Sequence, residues 1–125
     1  MNDYLENNKN NAMAFYDLMF NQSMPRQAID RFVGAEYIQH NPHVGNGKQP
    51  FIDYFERMAN EYPDKRVYFK RAIAEDNLVV LHCHQVWPSD QEYAGIDIFR
   101  FDDKGKIVEH WDVLPKESKN DNSIF

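Results

Sequence analysis

A single cysteine, Cys83, occurs in the 125-residue chain, so no disulfide can close within it and packing alone must hold the fold. Positive charge is also scarce. Fourteen Lys and Arg stand against 20 Asp and Glu for a formal charge of −6, with no basic cluster, so the electrostatic attraction that nucleic-acid binding requires is missing. No nucleic-acid partner is expected. The longest aliphatic run, Leu78-Val79-Val80-Leu81, is far short of the ~20 apolar residues that span a bilayer. No membrane partner is expected either. The first residues, Met1 to Asn8, lack the basic and apolar regions of a signal peptide, which together with the lone thiol points to a reducing cytoplasm. No repeat, low-complexity stretch or composition shift divides the chain, and its length suits one domain, 1–125, with a core over about 5–114 and a polar tail, 115–125. Apolar residues make up 42% and aromatics 14%, enough to build a core or line a pocket.

The N-terminal half reads as helical. Ala12, Phe15, Tyr16 and Met19 recur at helical spacing within an amphipathic helix from Leu5 to Phe20. A shorter helix follows from Pro25 to Val33, with Ser23 as its cap, Ile29, Phe32 and Val33 as its stripe, and Gly34 ending it. Tyr37 to His40 is extended and leads into the loop Asn41-Pro42-His43-Val44-Gly45-Asn46-Gly47. Pro50 opens a third helix with the stripe Phe51, Tyr54, Phe55 and Met58, closed at Tyr62-Pro63-Asp64. From there the period changes from helical to alternating. Strands are expected at Arg66–Ala74, Leu78–Trp87, Tyr93–Phe101 and Ile107–Val113, separated by Glu75-Asp76-Asn77, Pro88-Ser89-Asp90 and Asp102-Asp103-Lys104-Gly105. Helices first and an antiparallel meander after them make an α+β fold with helices on one sheet face.

Several polar residues sit where strands should be apolar. On Leu78–Trp87 one face carries His82 and His84 with Leu78, Val80 and Val86, and the other carries Val79, Leu81, Cys83, Gln85 and Trp87. Asp97 lies on the face of Phe99 and Phe101, where a carboxylate is costly unless paired or protonated. If the His110 side of the last strand is the concave side, His82, His84, Asp97, His110 and Asp112 converge. The opposite apolar face, with Val79, Leu81 and Trp87, would then meet a second subunit. His82-Cys83-His84 sends two imidazoles to one side, as cupin-type metal sites do, but Glu92 lies beyond a turn and the helix-first order does not suit a jelly roll. No metal and no other cofactor is expected. Cys83 sits mid-strand with no basic activation signal, so a thiol nucleophile is not expected, and glycine-rich phosphate loops and nucleophile-elbow motifs are missing.

Tyr37-Ile38-Gln39-His40-Asn41-Pro42 with Gly45 and Gly47, then Asp97-Ile98-Phe99-Arg100-Phe101, then Gly105-Lys106-Ile107-Val108-Glu109-His110-Trp111-Asp112, resemble the SnoaL-like branch of the nuclear transport factor 2-like superfamily. The resemblance implies a cone: N-terminal helices wrapping a strongly curved, mostly antiparallel sheet around a deep apolar pocket, with a homodimer through the convex face. It implies metal-independent acid/base chemistry of the kind run by polyketide cyclases, ketosteroid isomerases and limonene epoxide hydrolases. Asp97 matches the position of the pocket aspartate that the cyclases use as acid/base and the isomerases keep protonated in an oxyanion hole. Asn41 departs from the isomerases, which carry a carboxylate before the proline, and the Arg/Asp pattern of the epoxide hydrolases is not evident. The expected ligand is a small hydrophobic carbonyl compound. Asp97, His82 and His110 are the candidate catalytic groups. Tyr37, His40, Asn41, Phe51, Phe55, His84, Phe99, Trp111 and Asp112 are the candidate substrate contacts. The alternative is a non-catalytic binding or sensing module of the same fold.

Overall fold

The computed structural model describes residues 3–88 and 92–114. Its elements run α1 (Asp3–Tyr16), a wider π-helical turn (Asp17–Asn21), α2 (Pro25–Phe32), β1 (Val33–Gln39), α3 (Lys48–Glu61), β2 (Arg66–Glu75), β3 (Leu78–Val86), β4 (Glu92–Phe101) and β5 (Ile107–Val113). The five strands form one open sheet in the order β1-β5-β4-β3-β2, antiparallel except where β1 runs parallel to β5. The α+β class and the four expected C-terminal strands hold. The tail 115–125 and two residues of the expected turn, Ser89 and Asp90, lie outside the described residues. No helix among the described residues is long and apolar enough to cross a membrane.

Three local expectations change. The first helix is regular only to Tyr16; the π turn that follows buries Leu18, Met19 and Phe20 together. Asn21 ties that turn to the start of β2, its amide donating to the Val67 carbonyl at 3.2 Å and its Oδ1 accepting from the Val67 N–H at 2.8 Å. Ser23 does not cap α2. It sits at φ 57°, Met24 takes the N-cap position without a side-chain cap, and the Ser23 hydroxyl instead accepts from Lys65 Nζ at 3.1 Å. Gly34 belongs to β1 rather than to the end of α2. A side chain there would meet Asp102 Oδ2 at 2.8 Å and Val108 Cγ1 at 3.0 Å, so glycine lets β1 come close to β5.

The helices pack their aromatic stripes on one sheet face. Phe15 of α1 stacks on Phe51 of α3 at 5.6 Å and meets Phe99 of β4 edge-on at 6.0 Å, in the offset and T-shaped arrangements that aromatic quadrupoles favour. Register decides which residues share this inner face. Leu81 pairs with Asp97 and Asp97 with Asp112, while Val79 pairs with Phe99 and Phe99 with His110. Val79, Leu81 and Cys83 are fully buried on the inner side, so they cannot form the outer face expected to meet a second subunit. His82 and His84 pair with Ile96 and Ala94 and point outward, away from Asp97. The expected convergence of five ionisable groups therefore reduces to three.

Lys65, between α3 and β2, is fully buried. Its ammonium lies 5.2 Å over the Phe20 ring. Burial, with a smaller push from Arg66, brings its pKa down to about 8.

Candidate functional site

The inner face of β4 and β5 meets α1, the π turn and α3 around a cavity of about 50 Å³. Tyr37, Asn41, Phe51, Phe55, Phe99 and Asp112 line it beside Asp97 and His110. The structure thus brings together eight of the twelve residues singled out from sequence. The other four lie elsewhere. His82 and His84 are on the outer sheet face, where Glu92 pairs with His84 at 2.5 Å. His40 and Trp111 are also outside the cavity, stacked on each other at 4.9 Å with nearly parallel rings, with His40 on Glu109 at 2.7 Å. Alternation along β1 and β5 forces this: if Gln39 and His110 face inward, their neighbours face outward.

At the cavity's polar end the hydrogen bonds determine where protons sit. Gln39 Nε2 donates to the Tyr37 hydroxyl at 3.1 Å, which leaves Gln39 Oε1 to accept from His110 Nδ1–H at 2.7 Å. His110 Nε2 then faces Asp97 Oδ1 at 2.8 Å. A lone pair facing a carboxylate oxygen at that distance would be repulsive, so one proton lies between them. The His110 ring also stacks on Phe99 at 4.7 Å. Asp97 is 2% exposed, and its other oxygen, Oδ2, is buried with no hydrogen-bond partner among the described residues. Buried polar atoms are rarely left unpaired. Oδ2 lies toward Gly95, where a Cβ would stand 3.3 Å from it, and the Cys83 thiol beside Asp97 is only a weak donor.

Asp112 stands across from Asp97 in the sheet. Asn41 Nδ2 donates to its Oδ2 at 2.7 Å, while Asn41 Oδ1 accepts from the His43 N–H at 2.7 Å, which fixes the amide's orientation. Burial raises the Asp112 pKa; His110 and the Asn41 hydrogen bond pull it back, and Asp97 pushes it further up. Buried Tyr16 and Tyr37 are likewise raised, first by burial and then by Asp97. Cys83 is raised far out of the nucleophilic range by burial, as its sequence surroundings indicate. Asp97, His110 and Asp112 each place one ligand atom within 4.8 Å of the others, a donor set a divalent cation could use. A cation there would have to displace the proton held between His110 and Asp97.

Sequence reasoning missed Gln39, Gln85, Tyr16, Tyr54 and Trp87. Gln85 donates to the Tyr16 hydroxyl at 2.6 Å and accepts from Trp87 Nε1 at 2.9 Å, which holds the Trp87 indole in place. Two glutamines at strand positions expected to be apolar were the available signal. A larger cavity of about 490 Å³ adjoins the inner one. The two share Asn41, Tyr54, Trp87, Asp112 and Leu114, so the Asn41–Asp112 hydrogen bond lies at the neck between them.

The family model of the SnoaL-like domain matches residues 12–110. No curated protein sequence matches significantly. Among solved structures, a candidate polyketide cyclase from Acidithiobacillus ferrooxidans superposes with a TM-score of 0.74 at 14% identity, covering 86% of this chain and 87% of that one. A candidate ketosteroid isomerase from Kribbella flavida gives 0.73 at 14% identity over 95% and 85% of the two chains. An epoxide hydrolase from M. tuberculosis, similar to the limonene enzymes, gives 0.73 at 16% over 89% and 84%. Three chemistries on one backbone at such low identities establish the fold and leave the activity to the site. With most of its length matched by the family model and its helices and sheet superposing on these neighbours, the chain belongs to the SnoaL-like family of the nuclear transport factor 2-like superfamily.

Proposed function

We propose that the protein binds a small hydrophobic carbonyl compound at this site and catalyses its enolisation or aldol closure by metal-independent acid/base chemistry in the cytoplasm. The observation that carries the reading is Asp97 Oδ2, buried and unpartnered beside the His110–Asp97 pair and across from Asp112. Asp112, raised by burial and standing at the neck, serves as the base for a carbon acid, because a carboxylate raised above its ordinary value holds an abstracted proton more strongly. It takes the α-proton. The pair's one proton, held between His110 Nε2 and Asp97 Oδ1, is delivered from Oδ1 to the carbonyl oxygen and leaves Asp97 ionised, which prevents charge building up on the enolate in a dry site. In an aldol closure the enol carbon attacks a second carbonyl, whose oxygen takes the proton from Asp112, and the enol hydroxyl proton returns to the pair. Both acids end as they began.

A second reading is favoured by one dimension: an inner cavity of about 50 Å³ is small against the ~300–1,000 Å³ of ordinary ligand sites. On that reading the domain sequesters a ligand in the outer cavity without converting it. Mass spectrometry of small molecules released from freshly purified protein, before and after long incubation with excess of the same compound, separates the two. Conversion that Asp112→Asn abolishes supports the enzyme; a compound bound and recovered unchanged overturns it. We also propose a homodimer through the outer sheet face, where Tyr68, Ile73, Ile96 and Val113 are exposed around a half-buried Val80 and Ile98.

A further inference from the structure

The outer cavity carries a chemistry of its own. Tyr54, Tyr62, Trp87 and Tyr93 line it together with the His43 imidazole and the carboxylates of Glu61 and Asp112, and among the described residues no Lys or Arg lines it. The Tyr62 and Trp87 rings stand 5.2 Å apart at 86°, two perpendicular walls. Trp87 cannot swing freely because its indole N–H is held by Gln85 at 2.9 Å. Tyr54 already accepts a cation on one face, with Arg57 Cζ 5.3 Å from its ring centroid. Electron-rich ring faces set at right angles beside carboxylates attract a positive charge by quadrupole and Coulomb interaction together, and they repel an anion.

We infer that this outer cavity is a binding site for an ammonium group, so that the ligand is an amine-bearing compound whose cation rests among Tyr54, Tyr62 and Trp87 while its small carbonyl end passes the Asn41–Asp112 neck. The second half of that statement rests on the proposed function; the cation site does not. Two of the carboxylates act on the Tyr54 ring. The Tyr54 hydroxyl is raised first by burial, Arg57 opposes, and Asp112 and Glu61 raise it further. The same arrangement disfavours carboxylates, phosphates and coenzyme A thioesters as ligands.

The test uses three probes of one shape: choline, its neutral isostere 3,3-dimethylbutan-1-ol, and the anion 3,3-dimethylbutanoate, titrated calorimetrically into the full chain at low and high salt. Choline should bind about tenfold more tightly than the neutral isostere, with the anion weakest. The choline preference should shrink at high salt and in Glu61→Gln, an exposed position whose substitution leaves the core untouched, and it should vanish in Trp87→Leu. Equal or weaker binding of choline, no binding of any probe, or a preference that survives Glu61→Gln, Trp87→Leu and high salt overturns the inference. Because binding alone is read, choline selectivity without carbonyl turnover would sink the enzyme reading and leave the ammonium site standing; turnover without selectivity would do the reverse.

Discussion

Lys65→Met should stabilise the protein at neutral pH, because the native ammonium is buried without a carboxylate partner among the described residues. It is fully covered, donates to the Ser23 hydroxyl at 3.1 Å and lies 5.2 Å over Phe20. A folded pKa of about 8 against an ordinary 10.5 amounts to a penalty of about 3 kcal/mol on the charged form. The sign follows from proton counts: between pH 8 and 10.5 the unfolded chain holds the Lys65 proton and the folded one does not, so wild-type stability from this group rises with pH across that window. Below it the full penalty applies. Methionine removes the penalty and also loses the hydrogen bond, ~1 kcal/mol, and the ring contact, ~1 kcal/mol. A net gain of ~1 kcal/mol at pH 7 is expected, raising Tm by ~3–5 °C. Urea unfolding of both proteins at pH 7 and pH 9.5 measures it, with the Tyr16 and Tyr37 contributions cancelling in the difference. The advantage of the variant should fall at the higher pH. A destabilised variant, or a difference independent of pH, would show that Lys65 is hydrated in the folded protein.

Asp112→Asn should also stabilise above the window that begins at the ordinary carboxyl value of 3.8, since a raised folded pKa means ionisation costs stability as pH rises through it; denaturant melts at pH 4 and pH 7 should show the gain only at the higher pH. Gln39→Leu strands His110 Nδ1–H and the Tyr37 hydroxyl contact and should cost ~1–3 kcal/mol in the same assay; a neutral result would mean that water replaces the amide. Ile96→Glu, on the outer face and 37% exposed, should convert a particle of twice 14.9 kDa to a monomer in sedimentation, and a wild-type monomer would contradict the proposed interface.

Much of the fold is written in periodicity. The stripe Ala12, Phe15, Tyr16 and Met19 is buried as its spacing requires, and the last strand matches its expected bounds, Ile107–Val113. What periodicity cannot carry is phase between strands. Leu78–Val86 is apolar on both faces, so the strand by itself does not say whether His82 or Leu81 joins Asp97; the pairing of Leu81 with Asp97 decides it, and that is a relation between strands. Gln85 misleads for a related reason, because a polar residue suggests solvent while its amide in fact satisfies Tyr16 and Trp87 inside the core. Nothing in the sequence around Lys65 marks it as buried; in the fold its ammonium meets the Ser23 hydroxyl and the ring of Phe20 in the π turn. Asp97 was legible because an acid flanked by Ile96, Ile98 and Phe99 has little access to water on either face.

The central claim is proton transfer between a ligand carbon and the carboxylates of the cavity. Its most direct test is the rate at which the protein in D₂O exchanges the α-hydrogens of a small 1,3-dicarbonyl compound, followed by NMR at pH 7 for the wild type, Asp112→Asn, Asp97→Asn and the outer-face control His82→Ala. The account predicts exchange above the buffer rate, lowered ~10²–10⁴-fold by either aspartate substitution and unchanged by His82→Ala. Exchange that survives both aspartate substitutions, or that depends on His82, would contradict it.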